Sequence, residues 1–301
     1  MKAITIGKNE DGQRLDRFLL KYLNNSSRSN IFKLIRKKVF KVNGVKVKEE
    51  YFLKEGDILE IFLSDETMDT LMTEEAPITA EEADLNIIYE DEELLVVHKP
   101  KDLLTHPDKN EYKKTLASFV QIYLKHLATR TFKPAPIHRL DKNTSGVVVF
   151  AKTYDALKRY NEMMRERQIQ KYYQCIVHGR VAAAGEVLGY LTKDEESNKV
   201  KLMAHSDDEG KFCHTKFKPL QQLGNYTLLE VELLTGRSHQ IRASMAYIGH
   251  PIVGDIKYGG RRINNVENQL LHGYKVVIGE HVFTCESEDI QSFIKEAQHG
   301  R

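Results

Sequence analysis

The sequence predicts a two-domain chain that mixes α-helices with β-strands, a small basic domain preceding a large one. Three observations predict it. The net charge of +2 over 301 residues hides a split: residues 1–62 carry 14 Lys and Arg against 8 Asp and Glu, residues 63–93 carry 12 acids and no base, and residues 94–301 carry 31 bases against 23 acids. The acidic stretch "SDETMDTLMTEEAPITAEEADLN", 64–86, has little periodicity and reads as a partly disordered linker between domains at 1–63 and 87–301. Helical and strand-like runs alternate on both sides of it. Two basic bodies around an acidic connector suit a polyanionic partner.

In the small domain, "RLDRFLLKYL" (14–23) sets Leu15, Phe18, Leu19 and Tyr22 on one helical face. Ser27 then serves as N-cap for "RSNIFKLIRKK". At about 100° per residue, Ile31, Phe32, Leu34 and Ile35 share one side and Lys33, Arg36 and Lys37 the other. "VFKVNGVKV" reads as two strands around an Asn43-Gly44 turn, and "LKEGDILEIFL" as a further turn and strand. A helix pair with a basic outer face, followed by short strands, is a nucleic-acid-binding candidate.

The large domain begins with "NIIYEDEELLVVHKP", two strands around an acidic turn. "TLASFVQIYLKHLATR" is helical, with Leu116, Phe119, Val120, Tyr123, Leu124 and Leu127 apolar. "GVVVFAK" reads as a buried strand, and "TYDALKRYNEMMRERQ" as a helix with Leu157, Tyr160, Met163 and Met164 inward. "KYYQCIVHG" and "YTLLEVELL" are further strands.

Common chemistries are missing. The chain has no GxxxxGK[ST] phosphate loop, no HExxH, no GxSxG and no GxGxxG. Cys175, Cys213 and Cys285 form no CxxC pair, and none of the 12 histidines pairs with a second ligand at metal spacing. An enzyme of this composition is expected to work without metal or organic cofactor. The polar N-terminus and the lack of a membrane-length apolar run predict a cytoplasmic protein. The expected oligomeric state is a monomer.

What remains is Asp141 in "PIHRLDKNTSGVVVFAK" with two arginine-bearing segments, "HRLD" itself and "TGRSHQIR" (235–242), both placed where turns meet strands. A carboxylate serves as nucleophile or base only when ionised and held still, and a close arginine supplies both conditions. The bland alternative is that Asp141 opens an Asx-type turn through Lys142 and Asn143.

These segments resemble the pseudouridine synthases of the large-subunit ribosomal RNA type, a family that also holds transfer-RNA enzymes. "HRLDKNTSGVVVFAK" matches its HRLDxxTSGxxxxAK signature, and the resemblance runs from about residue 13 to 295. It implies that Asp141 is the catalytic residue, Tyr173 the active-site tyrosine with Lys171 beside it, and Arg242 the partner of the aspartate. "HKPKDLLTHP" matches the opening motif through Lys99, Pro100, His106 and Pro107, and "GHPIVGDIKYGG" continues the third motif. Asp102 stands where the family commonly has glycine, His98 replaces a frequent asparagine, and Ser244 a frequent histidine. The small domain resembles the S4 RNA-binding domain through Arg14-Leu15-Asp16, Ser27-Arg28-Ser29, Leu34-Ile35, Val42-Asn43-Gly44 and Gly56-Asp57, with Lys38 where that family usually has glycine.

The resemblance implies an α+β fold, a catalytic domain on a mixed, mostly antiparallel sheet preceded by a small S4-like RNA-binding domain. It implies isomerisation of uridine to pseudouridine in structured RNA, ribosomal of the 23S type or transfer RNA. Uracil leaves C1′, turns and rejoins through C5, with no redox change. Asp141 acts either by covalent attack or as a general base. Arg139 and His138 shape the RNA groove, and Arg28, Lys33, Arg36 and Lys37 contact RNA from the small domain. Two rivals stand beside this: a catalytically silent RNA-binding or ribosome-assembly factor, and an aspartate-dependent hydrolase of nucleosides or sugars.

Overall fold

Two sheets organise the chain in the computed structural model, which describes residues 1–73, 84–109, 111, 113–194, 199–205, 210–263 and 266–299. The first sheet has four strands in the order β1 (Lys2–Thr5), β4 (Ile58–Ile61), β2 (Phe40–Val42), β3 (Val45–Lys46), all antiparallel. Helices α1 (Leu15–Tyr22) and α2 (Arg28–Arg36) pack on it. Leu15, Phe18, Leu19 and Tyr22 are buried as their spacing predicts, and the Ser27 hydroxyl accepts from the Asn30 N–H as N-cap. Asn43 and Gly44 both take positive φ, 52° and 77°, the backbone of a tight hairpin turn.

The expected linker starts as structure. Helix α3 (Asp65–Leu71) is capped by Ser64 and buries Met68 against the core of the small domain. Seven residues are too few for a helical period to register, so its formation depends on the cap and one anchoring side chain. The rest of the predicted linker, 74–83, lies outside the described residues.

The second sheet contains eleven strands. Its path is β11 (Lys199–Met203), β10 (Gly185–Asp194), β12 (Lys211–Leu223), β13 (Tyr226–Leu233), β9 (Ile169–His178), β14 (Leu271–Ile278), β8 (Ser145–Ala151), β6 (Leu94–Lys99) and β5 (Ile87–Glu90). Strand β7 (Ala135–Pro136) pairs with β8, and β15 (His281–Thr284) with β14. Among the described residues only β14 with β8 is a parallel strand pair, which gives the mixed, mostly antiparallel sheet.

Both faces are covered at its centre. Val148 and Phe150 of β8 join a core with α4 (Leu116–Tyr123) and α6 (Gln240–Tyr247), while Val147, Val149 and Ala151 face α5 (Tyr154–Arg165). A strand buried on both sides reads as an unbroken apolar run, as "VVVFA" does. Helix α7 (Glu288–His299) closes a third cluster around Ile176 and Leu270. Tyr123, grouped above with the apolar positions, is 47% exposed and donates its hydroxyl proton to Glu90. Gly146 explains the glycine of the TSG motif: a Cβ there would lie 2.3 Å from the Gly273 carbonyl oxygen, where β8 meets β14.

The two bodies are latched together. Glu10 accepts from the hydroxyls of Thr129 and Thr131 at 2.6 and 2.9 Å. Arg130 donates through Nε to the Tyr22 carbonyl at 2.8 Å, and its guanidinium lies 5.5 Å from the Tyr22 ring centre.

Candidate active site

Asp141 lies in the loop between β7 and β8. The turn that follows is closed by the main chain, the Thr144 N–H donating to the Asp141 carbonyl at 3.0 Å. The carboxylate is therefore not consumed as an Asx cap. Two buried groups hold the loop. The Thr105 hydroxyl donates to the Leu140 carbonyl at 2.9 Å and accepts from its N–H at 3.1 Å. Beneath it, fully buried Lys99 donates its three Nζ protons to the carbonyls of Pro100, Leu103 and Lys142 at 2.8, 2.6 and 2.9 Å. Burial pulls Lys99 down to about 7, opposed by the charges of Asp141 and Asp102.

Arg242 enters from a segment that the sequence placed where a turn meets a strand. The structure turns it into a helix instead. The Gln240 side-chain oxygen accepts from the Thr235 hydroxyl and the Arg237 N–H at 2.9 and 3.0 Å, and α6 starts at once with Arg242 in its first turn. The ion pair with Asp141 is present at 3.7 Å, and a closer partner stands beside it. Arg242 makes its bidentate pair with Asp255, at 2.7 Å through both Nε and Nη2, and stands 3.7 Å from Asp141 Oδ2. Asp255 is 1% exposed and wins because the glycine-rich turn "GDIKYGG" wraps it over the guanidinium. That turn is obligatory: Cβ atoms at Gly254 and Gly260 would lie 2.2 and 2.0 Å from backbone oxygens.

Asp141, Tyr173, Arg139, His138 and Lys171 line one cavity of about 440 Å³, together with Arg165, Arg167, Arg237 and Arg242. Of its carboxylates only Asp141 and Glu232 are present, so the cavity is strongly cationic. Tyr173 comes from β9 and is nearly buried. Burial, then the Asp141 charge, raise its hydroxyl above the ordinary tyrosine range, so it stays protonated. His138 cannot act as a cation. The Val149 N–H donates to its Nε2 at 3.3 Å, and burial followed by Lys171 pushes the ring down to about 3. Arg139 is exposed at the rim.

The departures from the family pattern find places. Asp102 and Lys38 both take the left-handed conformation, each at φ 60°, where glycine is the ordinary choice. Ser244 is fully buried, pairs with the Thr215 hydroxyl at 3.1 Å and does not line the cavity. The fold brings His98, His272 and Cys285 within 4.8 Å of one another, which sequence spacing did not reveal. His272 hydrogen-bonds through both ring nitrogens, with the Ser145 hydroxyl at 2.8 Å and the Cys285 carbonyl at 3.0 Å. On α2, Arg28, Lys33 and Arg36 are exposed, as is Lys37 just beyond its end.

Sequence reasoning missed Asp255 and His239. His239 Nε2 stands 3.9 Å from Asp141 Oδ2. Its signal lies inside "TGRSHQIR", three residues before Arg242.

Residues 93–247 match the family described as RNA pseudouridylate synthase, and residues 13–59 match the S4 domain. A Bacillus subtilis protein bearing the name uncharacterized RNA pseudouridine synthase is 31% identical over 273 residues, covering 89% of this chain and 86% of its own length. Ribosomal large subunit pseudouridine synthase C of Vibrio cholerae is 31% identical over 293 residues, covering 92% of this chain and 88% of its own. The solved structure of human RNA pseudouridylate synthase domain containing 4 overlays with a TM-score of 0.58 at 22% identity, over 71% of this chain and 93% of that one, a likeness of fold.

Proposed function

Because the chain belongs to the RNA pseudouridylate synthase family, an enzyme family that acts on uridine in RNA, we propose that it isomerises specific uridines of structured RNA with Asp141 as the catalytic carboxylate. Ribosomal RNA of the 23S type is the first candidate substrate, in keeping with the names of the relatives, and transfer RNA the second.

The observation that carries this reading is Asp141 itself. Its carboxylate is left out of the turn it begins and stands against a cationic cavity beside a protonated tyrosine. The reaction breaks the N1–C1′ bond and forms a C5–C1′ bond, while the C5 proton is lost and N1 gains one. Electrons balance within the nucleoside. Covalent attack and sugar-proton abstraction both give the reacting role to the Asp141 carboxylate.

The uridine must leave its stack, at a cost of a few kcal/mol that is smallest in loops. Stacking on Tyr173 returns about 1–3 kcal/mol. Arg139, at the rim, fills the space the base leaves, and the cationic walls hold the flanking phosphates. Arg242 keeps positive charge near Asp141 without binding it closely, because Asp255 restrains it. The exposed cations of α2 grip RNA backbone away from the reacting uridine.

The test uses ribosomal RNA carrying tritium at uracil C5, with no cofactor added. Release of tritium to water by the wild type, and a loss of at least about 10³-fold in Asp141→Asn with RNA binding retained, is the expected result. Binding by both proteins with release by neither would favour the catalytically silent factor instead.

A further inference from the structure

We infer that His239 is a positioning residue for Asp141, locked by Tyr258 so that its Nε2–H faces Oδ2 and leaves Oδ1 to react. The inference rests on Asp141 being the reacting carboxylate.

The lock is read from one hydrogen-bond chain. Tyr258 is 5% exposed, and its hydroxyl oxygen accepts the Val200 N–H at 2.9 Å. His239 Nδ1 also lies 2.9 Å from that hydroxyl, and we assign the hydroxyl proton to this contact, the one arrangement that leaves an N–H on the face towards Asp141. An imidazole that accepts at Nδ1 carries its own proton on Nε2. The rings meet edge to face, 5.7 Å apart at 86°, which sets the plane of the histidine. His239 occupies the N-cap of α6 at φ 54°, a left-handed backbone uncommon for histidine, and its side chain makes no cap hydrogen bond. The ring is turned away from its own helix and towards the carboxylate.

Tyr258 holds the second donor too. The Arg242 guanidinium lies over its ring at 4.9 Å. His239 Nε2 and Arg242 Nη1 then approach the same oxygen, Asp141 Oδ2, at 3.9 and 3.7 Å. Among the described residues neither carboxylate oxygen of Asp141 takes a hydrogen bond, and the approach given for each of the two groups is to Oδ2. The two oxygens of one carboxylate are thus assigned different tasks, and one aromatic residue anchors the assignment. At 3.9 and 3.7 Å the two groups stand beyond hydrogen-bond length and act on Oδ2 through charge and dipole. The chain also reaches outward: Val200 belongs to β11, at the edge of the large sheet.

His239→Asn, His239→Gln and Tyr258→Phe test it in single-turnover tritium release from C5-labelled ribosomal RNA, with RNA affinity by filter binding and Tm measured for each. Asparagine tolerates the left-handed backbone but stops short of Asp141, so the bound-state rate falls about 10²-fold while affinity and Tm hold. Glutamine, whose amide nitrogen reaches where Nε2 stood, recovers most of that loss. Tyr258→Phe keeps the ring and frees the imidazole, and loses rate without affinity; it carries the test if His239→Asn folds poorly. An unimpaired rate in His239→Asn and Tyr258→Phe, or equal losses in the Asn and Gln variants, would overturn the inference. Asp141→Asn run alongside separates the two readings. If that variant releases tritium normally, the proposed function falls and takes this inference with it; if it is inactive and His239→Asn is not, only the inference falls.

Discussion

The basic face of α2 and the cavity around Asp141 both offer positive charge to RNA, yet their cations are held in opposite ways. Arg28, Lys33, Arg36 and Lys37 are exposed on one short segment, and none is in an ion pair among the described residues. Nearest Asp141 the polar groups are anchored: Arg242 is clamped by Asp255, Lys99 by three carbonyls, and the His239 ring by Tyr258. Gripping a polyanion needs charge that can follow the phosphates and release counterions. Rearranging one bond needs charge that stays where it is while the substrate changes. The difference separates affinity from rate.

The largest effect expected from breaking this division is at Asp255. In Asp255→Asn the buried guanidinium loses half its bidentate partner, and Arg242 is drawn to Asp141. Stability should fall by about 3 kcal/mol in a thermal melt, and the bound-state rate by about 10²-fold. A full rate in this variant would show that the clamp is not needed. A smaller effect, of a different kind, is expected on α2. Removing Lys33, Arg36 and Lys37 together should weaken RNA binding and lower the slope of log affinity against log salt by about 2 to 3, with the bound-state rate unchanged. A parallel drop in rate would merge the two regions into one. Smallest of all is Lys38→Gly. The left-handed backbone costs a non-glycine residue about 1–2 kcal/mol, and glycine returns most of this as unfolded-state entropy. A net gain below about 1 kcal/mol in chemical denaturation is expected, with RNA affinity lowered only by the one lost charge.

The same division explains what could be read in advance. The basic face of α2 was legible because one helical period over one segment creates it. The loop of Asp141 was legible through its signature, and the two glycine positions taken by Lys38 and Asp102 do prove left-handed. The Arg242–Asp255 clamp was not legible. It depends on a turn that folds back 13 residues later, and no local period marks which of two aspartates the guanidinium will choose. His239 escaped for a similar reason, since its meaning depends on Tyr258 and on β11, elements that only the fold brings near. Helix α3 was lost in acidic composition, because one buried methionine leaves no pattern to detect.

The latch between the bodies has a quantitative consequence. Glu10, Arg130 and Tyr22 tie the small domain to the segment just before β7 and so set a spacing between the α2 face and the cavity. An RNA that touches both surfaces meets the second at an effective concentration set by that spacing and by its own shape. An oligonucleotide cut to fit the cavity alone forfeits that gain, even though every contact to the reacting uridine is intact. Selectivity can therefore reside in the distance between two features of the substrate, a quantity that no single nucleotide carries.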